Sequence, residues 1–180
     1  MERLQPPDLD DLTPEQEEVA RAIIAGPRKA VIGPMRIWLH RPELGQHAQR
    51  LGQYCRFDSS LPPHLSELAI LVTARVWSSE FEWSAHKKIA LEAGVDPAIV
   101  EAIRTHRPPP FETDVQRAIY DFANMLHTER KVSDAVYQAA VATLGEAGVV
   151  DLTAILGYYT LVSMTLNVFE VLAEGPPEMS

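Results

Sequence analysis

Apolar residues recur at three- and four-residue spacing along nearly the whole chain, and no stretch of useful length alternates apolar with polar in the two-residue period of a strand. The pattern predicts an all-α protein. A first helix is expected from about Pro14 to Ala25, where Thr13-Pro14-Glu15-Gln16 offers an N-cap, a proline at the first helical position and a glutamine three residues after the cap. Gly26-Pro27 ends it. Gly33-Pro34 then leads into a short helix over Met35 to His40 that Arg41-Pro42 interrupts. Leu44, Ala48, Leu51 and Tyr54-Cys55 mark an amphipathic helix to about Arg56, and the turn-formers from Asp58 to Pro63 follow it.

The stretch from His64 to Ile103 organises the rest. Leu65, Leu68, Ala69, Leu71, Val72 and Val76 cover most of a helix surface, so this helix should be largely buried, yet it carries Glu67. The next helix starts near Ser79 and stops at Gly94, a natural left-handed C-cap residue. Asp96-Pro97 caps a short helix to about Thr105. Pro108-Pro109-Pro110 cannot be helical and connects the front part to the back. Beyond it, Thr113 opens a helix whose face is Val115, Ala118, Ile119, Phe122, Met125 and Leu126. Ser133-Asp134 opens another to about Leu144, and Val149 to Leu172 is apolar nearly all round, which suits the centre of a bundle. The expected organisation is a single-domain helical bundle over residues 1–180, with a core motif region at 34–105 and closing helices over 112–172.

Composition narrows the function classes. With 46% hydrophobic and 23% charged residues in 180, a packed core needs no staples. A net charge of −9 without a dense basic block argues against nucleic acid and anionic membranes as partners. Cys55 is the lone cysteine, so neither an intrachain disulfide nor a Cys-x-x-Cys redox pair can form. No basic-then-apolar leader occurs, and no run approaches the ~18 to 20 apolar residues of a membrane span, so a cytoplasmic location is expected.

The candidate chemistry lies on one helical stripe. Ser79, Glu82 and His86 stand at i, i+3 and i+7 and face the same neighbour. If the preceding helix packs antiparallel on that stripe, Glu67 reaches His86. A carboxylate beside an imidazole orients the ring and suits it to proton transfer near neutral pH. Two structural readings compete. Ser79-x-x-Glu82 is also the form of a capping box, and Arg75 is an alternative partner for Glu67. Trp83, His40 and Tyr54 are candidate pocket walls. Glu82 and His86 alone fall short of a metal site, because no His-Glu-x-x-His motif or cysteine cluster supplies further ligands. No Gly-rich phosphate loop or Gly-x-Ser-x-Gly elbow is present either. Neither metal nor cofactor is expected.

Three segments carry a family resemblance: Glu67-Leu-Ala-Ile-Leu-Val-Thr-Ala-Arg75, Glu82-Trp-Ser-Ala-His86 and Ala90-Leu-Glu-Ala-Gly-Val95. Together they resemble the carboxymuconolactone decarboxylase family, whose other branch is the alkylhydroperoxidase D group. The resemblance is strongest over 34–105, while Gly157-Tyr158-Tyr159 to Asn167 is similar to the closing helix of longer members. The redox branch has the pattern Glu-x11-Cys-x2-Cys-x3-His. Laid on this chain, its glutamate is Glu67 and its histidine His86, but its cysteine positions are Ser79 and Glu82. Without a thiolate and a resolving thiol, cysteine-based peroxidase chemistry is not available.

The decarboxylase branch needs no cofactor. There a lactone loses carbon dioxide and a general acid protonates the carbanion equivalent. The resemblance therefore implies a cofactor-independent acid/base lyase acting on a small organic molecule. His86 is the proton carrier, Glu67 its orienting partner and Glu82 a second acid/base group, while Ser79, Trp83, His40 and Tyr54 surround the substrate. Glu82 departs from the pattern and should repel an anion, which argues against the muconolactone itself. The alternatives are a non-catalytic small-molecule-binding homologue and, last, the family's peroxidase activity. A homo-oligomer is expected, both from the resemblance and from the surplus apolar circumference of the helices at 65–78 and 149–172.

Overall fold

Two of the sequence-encoded capping boxes set the frame. At Thr13 and at Thr113 the hydroxyl accepts from the backbone amide three residues on, and the glutamine there accepts from the backbone of the cap. They start helices α1 (Pro14–Ala25) and α7 (Asp114–Glu129). The computed structural model describes residues 2–173 and 175–179; Met1, Glu174 and Ser180, which the expected 1–180 domain includes, lie outside the described residues. Between and after these two helices run α2 (Pro34–Trp38), α3 (Pro42–Gln53), α4 (Pro63–Val76), α5 (Glu80–Glu92), α6 (Pro97–Arg104) and α8 (Asp134–Phe169). Among the described residues there is no strand, and the all-α class holds.

Helix α4 is the hub. From Leu65 to Ala74 every residue on it is buried, and it packs against α5, α7 and α8, with α6 and the turn that follows α3 at its edges. A helix buried all round can form only where each polar group it carries finds a partner or stays neutral, which is why Glu67 and Thr73 matter. Thr73 donates to the Ala69 carbonyl at 3.0 Å and lies 3.0 Å from His127 Nε2 on α7.

Two expectations about α8 change. Its halves, read from the sequence as separate helices, are joined with a single break at Gly145, whose φ of 72° and ψ of 168° lie outside the helical region. One residue in that conformation turns the chain without needing a loop. The helix also stops at Phe169, short of Leu172. In addition, α8 is long and apolar enough to cross a membrane by length and composition, with mean hydropathy 1.6. Its interspersed Thr, Ser and Tyr hide this from a search for unbroken apolar runs. Its inner face, including Leu152, Ile155, Leu156, Val162 and Leu166, is buried against the other helices.

The amphipathic helix expected to reach Arg56 ends earlier, at Gln53, and continues as a π-helical turn over Tyr54–Asp58. That wider turn rotates the residues after it relative to an α-helix. Cys55 is thereby fully buried, while Arg56 lies at the edge of the interior.

Candidate active site

The packing of α4 on α5 brings Glu67 to His86. Glu67 Oε2 lies 2.6 Å from His86 Nδ1, and both side chains are buried. An ionised carboxylate can only accept, which puts the imidazole proton on Nδ1 and turns Nε2 toward the other side. There Glu82 Oε2 stands 3.4 Å away, one turn back on α5. This is too poorly aligned for a hydrogen bond, and that oxygen has no other partner. Burial therefore pushes the Glu82 carboxyl up from the ordinary range, with His86, Arg56 and Arg28 offsetting only part of the effect. The arrangement is a buried line of acid, imidazole and acid, in which burial pushes the outer acid toward its protonated form.

Aromatic rings hold the imidazole in place. Tyr159 on α8 meets the His86 ring edge-on at 5.0 Å between centroids, and Tyr158 meets Tyr159 the same way at 5.3 Å. Arg28 Nη2, from the loop after α1, donates to Tyr158 Oη at 3.3 Å. This close meeting of α3, α8 and the loop depends on Gly52, since a Cβ there would collide with both Tyr158 Oη and Arg28 Nη2. Burial raises both phenols above their ordinary value, so each is a neutral hydroxyl. Tyr159 Oη is buried without a partner.

The π-helical turn is fastened by one carboxylate. Asp151 on α8 accepts from Tyr54 Oη at 2.6 Å, from Ser60 Oγ at 2.6 Å and from the Ser60 amide at 2.8 Å. Burial alone would push this carboxyl up. The hydrogen bonds from Ser60 and Tyr54 outweigh it and leave the carboxyl below its ordinary value. Bracketing the turn on both sides, Asp151 fixes where Arg56 emerges.

Arg28, Arg56, Glu82, His86, Tyr158 and Tyr159 line a cavity of about 70 Å³. One water needs ~10–15 Å³ on this measure, so the cavity holds a few waters or a small chemical group. Ile32, Phe81 and Ala85 form its outer wall and also border a groove of about 570 Å³.

Of the residues singled out from sequence, Glu67, Glu82 and His86 meet, with Glu67 behind His86 rather than in the cavity wall. The others lie elsewhere. Ser79 is the N-cap of α5, but its hydroxyl makes no cap hydrogen bond and is buried without a partner, so the capping box does not form. Trp83 is fully buried in the core on the face of α5 away from the cavity. His40 is exposed, with Nε2 3.0 Å from the Gln5 carbonyl. Tyr54 spends its hydroxyl on Asp151 and is absent from the cavity wall. Trp83, His40 and Tyr54 are absent from the cavity wall because sequence position alone does not fix which way a helix face turns. Arg75 is not the partner of Glu67; its Nε donates to the Arg104 carbonyl at 2.7 Å. Arg28, Arg56, Tyr158 and Tyr159 were missed. For the tyrosines a signal existed, since two adjacent phenols buried on the inner face of α8 demand an explanation as much as Glu67 does. Among the described residues no cluster of His, Cys, Asp and Glu suited to a metal occurs.

Residues 42–125 match the carboxymuconolactone decarboxylase family. The matched segment holds Glu67, Glu82 and His86, whereas Arg28 and the Tyr158-Tyr159 pair lie outside it. No curated protein matches the chain. Among solved structures, the debrominase Bmp8, as a cysteine-to-alanine variant in complex with 2,3,4-tribromopyrrole, is similar at 15% identity, with a TM-score of 0.78 over 97% of this chain and 95% of that one. An uncharacterised peroxidase-related protein from Ralstonia eutropha JMP134, described as an alkylhydroperoxidase AhpD core, is similar at 17% identity and a TM-score of 0.78, covering 96% of this chain and 92% of that one. A peroxidase-related protein from Silicibacter sp. TM1040 gives 14% identity and a TM-score of 0.78 over 95% and 91% of the two chains. The fold is that of the AhpD core.

Proposed function

We propose that this protein is a cofactor-independent acid/base enzyme, a lyase of the carboxymuconolactone decarboxylase type, acting on a small organic molecule. The observation that supports it best is the buried line from Glu67 through His86 Nδ1 and Nε2 to Glu82, which ends on a cavity. In this reading the substrate's bond to its leaving carboxylate breaks, carbon dioxide departs, and the electron pair enters the conjugated system. The proton that completes the product comes from the His86–Glu82 end of the line. Burial pushes Glu82 toward its protonated form, and Glu67 steadies the imidazolium that forms in passing. Positioned proton transfer of this kind is typically worth ~10²–10⁴-fold.

Thiol chemistry fits the residues poorly. Cys55 is fully buried, stands outside the cavity wall, and its thiol is pushed up to about 11, chiefly by burial. The test is turnover on a panel of small lactones and enols. His86→Ala and Glu67→Gln should each abolish most of it while the variants stay folded. A wild-type protein that binds panel members and converts none would overturn the enzyme reading in favour of a non-catalytic binding homologue.

A further inference from the structure

Two guanidinium groups line the small cavity without a carboxylate to meet them. Among the described residues neither Arg28 nor Arg56 takes part in an ion pair. Arg28 Nε is buried with no partner, and its one side-chain hydrogen bond goes to the neutral Tyr158 phenol. Arg56 rests against the Phe57 ring, its guanidinium carbon 5.1 Å from the centroid, which leaves its N–H edge free. Glu82 is the only acid in that wall, and burial favours its uncharged form. In a chain of net charge −9 the cavity is thus a local positive site. The two arginines in the same wall counter the repulsion expected of Glu82.

The cavity and the groove together define the shape of a ligand. About 70 Å³ accommodates a head group rather than a whole molecule, and the groove of about 570 Å³ shares Ile32, Phe81 and Ala85 with it. Beyond that wall the groove continues along Ile37, Val171 and Leu172, with Glu2, Arg36 and Lys88 also lining it. We infer that Arg28 and Arg56 bind the carboxylate of a small organic acid beside His86, and that the acid's hydrocarbon body lies in the groove over Phe81. Guanidinium is well matched to a carboxylate in geometry as well as charge. This deepens the acid/base reading by naming the ligand's class, but it is tested by binding alone. An arginine-dependent acid that is never turned over would keep this inference and remove the catalytic one.

The test is calorimetric titration of the full-length protein with hexanoate, acetate and hexanamide. Hexanoate should bind at least about tenfold more tightly than acetate, because its longer chain buries additional methylenes, and hexanamide should bind at least about tenfold more weakly than hexanoate. Arg56→Gln should weaken both acids about tenfold, with Arg56→Lys recovering part of the loss. Arg56 makes no side-chain hydrogen bond among the described residues, so an unchanged melting temperature should accompany the substitution. Acetate should also shift the His86 imidazole resonances, which places the head group in the cavity. Hexanamide binding as tightly as hexanoate, undiminished binding by a folded Arg56→Gln variant, or no binding of either acid would each overturn the inference. Equal affinity for hexanoate and acetate would overturn the placement of the body in the groove.

Discussion

Removing either member of the Glu67–His86 pair should cost less once the other is already gone. The two groups are 2.6 Å apart and almost wholly excluded from water, Glu67 being 3% and His86 5% exposed. Glu67→Gln preserves the shape and an acceptor oxygen for Nδ1–H. It exchanges a charge-assisted hydrogen bond, worth about 1.5–3 kcal/mol net, for a neutral one of about 0.5–1.5, a loss of about 1–2 kcal/mol. His86→Ala does more damage. It strands the carboxylate of Glu67 without a partner, empties the space edge-on to Tyr159, and should cost about 3–5 kcal/mol, the range for breaking a buried pair. In the double variant the stranded group is a neutral amide, which is cheaper to bury than a carboxylate, so the combined loss should fall about 1–3 kcal/mol short of the sum. Urea unfolding of the four proteins at neutral pH, followed by circular dichroism with a common slope, measures all three differences. Losses that add to within about 0.5 kcal/mol would refute the claim that the two side chains act as a unit.

Four further outcomes follow from the same structure. Burial raises the Glu82 carboxyl above its ordinary 4.5, so the native state keeps a proton that the unfolded chain gives up; this group's contribution to stability should be fully present below that value and be lost as pH rises through the native one, and Glu82→Gln should remove that decline from a melting-temperature series. Asp151 has the opposite sign: its lowered carboxyl stabilises the fold above the ordinary 3.8, and the contribution fades as pH falls through the native value. Asp151→Asn should therefore cost about 2 kcal/mol or more at pH ~7 and progressively less in acid, by denaturant titration. Gly52→Ala should destabilise by about 1–3 kcal/mol through its collision with Tyr158 and Arg28, whereas a gain of the ~1 kcal/mol usual for Gly-to-Ala in a helix would show that the three elements do not meet there. Light scattering at micromolar concentration should return a multiple of 20.0 kDa, because Val150, Leu161, Met164 and Val168 form an exposed apolar stripe on α8; a single-chain mass would sink the oligomer.

Local signals in the sequence carried most of the fold. Thr13 and Thr113 specify helix starts through bonds confined to four residues, and the starts of α1 and α7 were legible for that reason. The π-helical turn at Tyr54–Asp58 was not legible, because its cause is distant: Asp151, far along the chain, holds Tyr54 and Ser60 in place. The same division runs through the site. Glu67 and His86 could be paired from sequence because a charge on a buried helix must be matched, and the facing stripe of α5 offered one suitable group. Ser79 and Glu82 had the form of a capping box, but tertiary packing prevailed and left both buried.

The cavity's charge illustrates why a motif read alone misleads about specificity. Within the motif the only cavity-lining charges are Glu82 and, when protonated, His86, and from these an anion looks unwelcome. The fold then adds Arg28 from a loop and Arg56 from the π-helical turn, and neither position belongs to any periodic pattern. Their placement depends on Gly52 leaving room for Arg28 beside Tyr158, and on Asp151 pinning the turn that carries Arg56. Burial meanwhile lessens the repulsion by pushing the Glu82 carboxyl toward its neutral form. The sign of the field in the cavity is therefore set by residues whose placement depends on α3 and α8. A substitution at Asp151 should accordingly alter anion affinity as well as stability, although its carboxylate reaches the cavity only through the turn it holds.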